Sequence, residues 1–220
     1  KTQNFTTGTN AYNVGVGYSA GGAITTGTSN VLIGGLTGDA LTTGSFNTAV
    51  GTNLGTDTLG SRAVAIGHGA LNSQNFTTAT DNYNVAVGFQ AGNDITTGIR
   101  NVIVGGLAGD ALTTASRNTA IGDQALSSDT LGSRSVAVGF GALFSQNFTT
   151  ATDAYNVGVG ADAGVAVTTG ANNTLVGGLA GSTLTTGQEN IAVGRNSLTS
   201  DTKGQKNTAL GNGALQTQNF

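Results

Sequence analysis

The side chains of this 220-residue chain best suited to chemistry are a few aromatics, a single histidine and two aspartates in glycine-rich turns. The phrase "QNFTTATDNYN" at 74–84 returns with one change at 146–156, and a third version, "QNFTTGTNAYN", stands at 3–13. The two later copies place Phe76 with Tyr83 and Phe148 with Tyr155 among Thr, Asn and Asp. Rings rimmed by hydroxyls and amides suit stacking on a sugar; the same rings also suit packing an enlarged loop on its neighbour. All four are candidate surface-binding residues, with packing the reading that needs no ligand. "GGLTGDALT" at 34–42 and "GGLAGDALT" at 105–113 put Asp sixth and Leu eighth, the spacing of a calcium-binding turn repeat. Asp39 and Asp110 are therefore candidate calcium ligands. The third version, "GGLAGSTLT", has Ser182 instead, so the turn forms without the carboxylate and no metal or cofactor is expected.

His68 is the only histidine, and the corresponding residues of the later repeats are Phe140 and Asn212. There is no cysteine nucleophile, and no serine or aspartate lies near the histidine in a triad-like arrangement. The expectation is a chain without enzymatic activity. "GVGYSAGG" at 15–22 superficially matches a dinucleotide loop, but no helix pattern follows it and its pieces recur as ordinary turns.

The elements that must position these residues are visible as repeats. The chain holds 37 Gly and no Pro, Cys, Met or Trp, and only 9% of it is charged. A collagen helix is excluded because Gly does not fall at every third residue. A net charge of −3 gives no basic stripe for nucleic acid, and no apolar run is long enough to insert in a membrane as a helix. Twelve pentads recur, beginning with "NVGVG" at 13–17 and ending with "NTALG" at 207–211. From one closing Gly to the next the steps are 17, 17, 16, 21, then 17, 17, 17, 21, then 17, 17, 17. This divides a single repeat domain, 1–220, into four-coil units at 13–83, 84–155 and 156–220, with 1–12 the end of a preceding unit. The phrase at 74–84 lies in the 21-residue step.

Each pentad is β-branched, short and closed by Gly, which predicts a strand ending in a turn. Successive residues of a strand face opposite ways, so the second and fourth positions share a face and the third takes the other. Both sets are apolar, and two apolar faces need two covers. The expectation is that one face fills the coil interior, while the mostly small third position packs closely on another copy of the chain. The "TTG" corners, such as 25–27 and 42–44, are expected to use Gly for positive φ. Asn opens ten of the twelve pentads, Ala63 and Ser135 being the exceptions, and predicts a ladder of amides up the stack.

The stretches "NTAVGTNLG", "LGSRAVAIGHGAL" and "NTAIGDQALSSDTLGSRSVAVGFGAL" resemble repeats of bacteriophage tail fibres, and the pentad "SVAVG" at 135–139 is similar to that of trimeric autotransporter adhesin heads. The resemblance implies an all-β fold, a left-handed parallel β-roll of twelve coils in a homotrimeric rod. It also implies attachment to a host-surface glycan or protein, on a virion or at a bacterial cell surface. The 17-residue turns and the insertion in every fourth coil depart from adhesin heads and favour the tail-fibre reading. Threonine-rich solenoids can also bind ice, but adjacent threonines in "TTG" cannot both point outward from an extended strand.

Overall fold

In the computed structural model, which describes residues 10–52 and 54–219, the chain is a parallel β-solenoid of twelve coils. One twelve-stranded sheet runs from Val14–Val16 to Thr208–Leu210, with each pentad contributing three residues and pairing in register with those of the coils before and after. No helix occurs among the described residues. The step of 17 residues is therefore one circuit of the coil, and the 21-residue step is a circuit with an outward extension.

The closing Gly of each pentad is dictated by the stacking. Gly105 has φ of 140°, and a Cβ there would collide with the carbonyl oxygen of Gly122 in the next coil. The "TTG" glycines differ from expectation: Gly27 and Gly98 do not have positive φ. They are glycine because a Cβ would strike the carbonyl of Gly44 or Ala115 directly above. Positive φ falls instead on a column of ordinary residues just before each strand, among them Tyr12, Phe46, Arg62, Tyr83, Arg100, Arg117 and Arg134. Their N–H groups donate to carbonyls of the preceding coil, as Arg62 does to Ser45 and Arg100 to Asn82, which holds this disfavoured conformation in place.

The two faces of the strand are assigned the other way round from the sequence expectation. The third pentad position, as in Leu32, Ala49, Ile103 and Leu175, is the one enclosed by the coil. Positions two and four face out, and Val14, Val16, Ile33, Ile121 and Ile191 are all exposed. The physical reason is the opposite wall. The interior is narrow and is already filled from the far side by a large aliphatic residue in each coil, so the strand contributes mainly Ala. Where four residues past the closing Gly stands another Gly, the shortened coil at Gly55 aside, an aliphatic residue three places on fills the centre: Gly92 makes room for Ile95 and Gly109 for Leu112. Where that position is Leu, as at Leu71, Leu126, Leu143 and Leu198, the residue three places on is polar and equally buried: Gln74, Asp129, Gln146 and Asp201. Two aliphatic coils followed by two polar-centred coils make the four-coil period.

Candidate functional site

The polar coils are knit by a directional relay. In unit 1, Asn84 Nδ2 donates to Gln74 Oε1 at 2.9 Å, and Gln74 Nε2 donates to Asp57 Oδ2 at 2.6 Å. The other carboxylate oxygen of Asp57 accepts from the Gly60 N–H at 2.9 Å. Unit 2 repeats the relay with Asn156, Gln146 and Asp129, and Gln146 Nε2 also reaches Ser135 Oγ at 3.0 Å. Burial pushes the carboxyls of Asp57 and Asp129 above the ordinary 3.8, outweighing the donors that would lower them. The relay enters where the Asn ladder lapses, at Ala63 and Ser135. From Asn13 to Asn190 the Asn side-chain oxygen accepts the backbone N–H at the same position of the next coil, as Asn101 N–H donates to Asn84 at 3.0 Å, and the amide donates to a corner carbonyl. The glutamine of the recurring phrase is thus a structural bridge, a role only its buried partners could disclose. Residues 3–9 of the phrase's earliest version, at 3–13, lie outside the described residues.

The aromatics of the phrase separate. Phe76 and Phe148 lie buried at 4% and 6% exposure, while Tyr83 and Tyr155 stand half exposed. The extension forms a short parallel pair, Gly60–Ser61 with Thr80–Asp81, and again Gly132–Ser133 with Thr152–Asp153. This sets Asp81 2.9 Å from Arg62 and Asp153 2.9 Å from Arg134. The hydrogen bond from Arg62 to Asp81 raises the guanidinium's pKa above its ordinary value. Arg62 also lies between the rings of Phe46, at 4.9 Å, and Tyr83, at 5.8 Å; Arg134 lies 5.6 Å from Tyr155. Of the four candidate surface-binding rings, only Tyr83 and Tyr155 are open to solvent; Phe76 and Phe148 are buried and offer no face to a ligand.

Two ridges flank the outward strand face. The one before the strand is the positive-φ column, with Arg100, Arg117, Glu189 and Lys206 along it; the one after carries His68, Phe89, Asp123, Phe140 and Arg195. His68 is exposed and stacks on Phe89 with centroids 5.7 Å apart. Asp39 and Asp110 sit at the same corner in coils 2 and 6, four coils or about 19 Å apart at the usual strand spacing. The geometry does not bring them together, and Asp110 accepts a hydrogen bond from Ser127 Oγ at 2.6 Å. Among the described residues no three His, Cys, Asp or Glu side chains gather as a metal site.

Comparison with known families, with characterised proteins and with solved structures finds no match to this chain.

Proposed function

We propose that the chain is a segment of a homotrimeric attachment fibre of the tail-fibre kind, a mechanical rod that binds a host surface and carries out no catalysis. The observation that supports this reading best is the outward strand face. Its second and fourth pentad positions are Val, Ile, Leu or Thr in all twelve coils, and several stay 37–66% exposed, Leu210 the most. A continuous apolar strip on a rod of twelve coils, about 58 Å at the usual strand spacing, is larger than a solitary soluble chain ordinarily leaves open. Three such strips meeting about an axis parallel to the rod would cover one another.

The ridges add charge complementarity. Coil 7 has Arg117 before its strand and Asp123 after it; coil 11 has Glu189 before and Arg195 after, with the signs exchanged. In a ring of identical chains at the same height, the ridge before one strand adjoins the ridge after the neighbour's strand. Each level then joins opposite charges, and a slip along the axis would forfeit both pairs. The head of a cell-anchored trimeric adhesin would use the same packing, and the sequence adjoining this segment in its full-length protein would separate the two.

Sedimentation equilibrium tests the assembly, with three copies expected. Arg117→Glu should weaken association, and adding Asp123→Lys should restore it. A stable monomer at micromolar concentration refutes the trimer; indifference to both substitutions refutes the same-height ring.

A further inference from the structure

Unit 1 carries a cleft of about 470 Å³, lined chiefly by Leu36, Asp39, His68, Asn72, Gln90 and Asn93. Its origin is the 16-residue step. Aligning the buried leucines Leu54 and Leu126, both at positive φ, places the missing residue before Leu54 and makes Gly55 the counterpart of Ser127. In unit 2, Ser127 Oγ occupies Asp110. In unit 1 that hydroxyl is gone, and Asp39 has no hydrogen-bond or ion-pair partner among the described residues. The other walls change in the same sense. Where unit 1 has His68, Asn72, Gln90 and Asn93, unit 2 has Phe140, Phe144, Asp162 and Val165. Asn93 Nδ2 is fixed by the Gly69 carbonyl at 3.0 Å, so its amide is held in position at the cleft. Gly55 and Gly69, which also line the cleft, leave its floor open.

We infer that this cleft is a binding site for a neutral saccharide of one or two rings. Its volume lies within the roughly 300–1,000 Å³ of small-ligand sites. A lone carboxylate and three side-chain amides supply acceptors and donors for vicinal hydroxyls, which both donate and accept. His68 stacks on Phe89, with centroids 5.7 Å apart, where the cleft meets the ridge after the strand. Among the described residues lining the cleft Asp39 is the one carboxylate, with no Lys or Arg beside it, so an acidic sugar is disfavoured. The cleft starts at the corner after the strand and continues onto the next side of the coil, away from the outward strand face. This assignment rests on the attachment reading, for which it supplies a receptor class.

The test titrates the full chain with glucose, galactose, mannose, N-acetylglucosamine and their disaccharides, by saturation-transfer NMR and calorimetry. At least one should bind. Asp39→Ala and Gly55→Ser should each weaken it by about tenfold or more, the second by returning to Asp39 the hydroxyl that unit 2 has. Asp110→Ala should leave the affinity unchanged, and thermal melts should confirm that each variant is folded. Binding by none of the sugars, undiminished binding to Gly55→Ser, or a preference for glucuronate over glucose overturns the assignment. Sedimentation of the same samples keeps the two proposals apart. A trimer that binds no sugar refutes the cleft and leaves the fibre; a monomer that binds sugar refutes the fibre and leaves the cleft.

Discussion

Units 1 and 2 follow one plan inside and diverge outside. Both stack two aliphatic coils on two polar-centred ones, and both lock the polar pair with an Asp–Gln–Asn relay. Unit 1 has lost a residue from one corner, yet the leucine beyond the gap, Leu54, is as fully buried as Leu126. The interior of a solenoid fixes which residue must point inward on each side, because a vacancy there costs both apolar transfer and cavity energy. The corner between those points is free to shorten. Surface chemistry then arises where the corner departs from the repeat, as it does around Asp39.

The largest test of this equivalence is at the two leucines. Leu54→Ala and Leu126→Ala should each lower stability by about 2–5 kcal/mol in urea unfolding. Similar losses are expected from both. A much smaller loss at Leu54 would mean that the shortened coil holds its leucine loosely and that the interior plan is not shared.

The relays should respond less, and unequally. Asp57→Asn opposes the donor Gln74 Nε2 with a second donor and should cost about 1–3 kcal/mol at pH 7. Asp129→Asn should cost less, because Gln146 retains Ser135 Oγ as an acceptor whereas unit 1 has Ala63. The sign of the pH dependence follows from the raised carboxyls. As pH falls through the folded pKa values, the native chain takes up protons before the unfolded chain does. These two groups therefore add stability on acidification down to about 3.8 and withdraw it as pH rises. The double variant should lack that component between neutrality and pH 4; an unchanged slope of stability against pH would contradict it.

The smallest difference is expected at the ion pairs. Arg62→Ala and Arg134→Ala remove partly exposed, solvent-screened bridges and should each lower the melting midpoint only slightly. Arg62 should be the costlier, since it is flanked by both Phe46 and Tyr83 while Arg134 has Tyr155 alone. Thermal melts resolve the order, and a reversed order would show that the rings contribute nothing to the comparison.

By itself the sequence determined the number of coils, their parallel register and the four-coil period, because a solenoid writes one circuit per repeat and closes each strand with a glycine that nothing else fits. It also pointed to His68 as a departure from the pattern, and to Asp39 as one of two aspartates in matching turns. Which strand face is interior was settled only by the tertiary structure. Alternation divides a strand into two faces without saying which is which, and the answer depends on how much volume the opposite wall supplies. Phe76 and Phe148 illustrate the same limit: their spacing from Tyr83 and Tyr155 is plain in the sequence, but burial separates rings that the phrase lists together. Gln74 looked like part of a loop until Asp57 and Asn84, 17 and ten residues away, proved to enclose it. The cleft belongs to the same class. A missing residue is legible as a step of 16, whereas the space it leaves, and the carboxylate left facing that space, exist only once coils 2 to 5 are stacked.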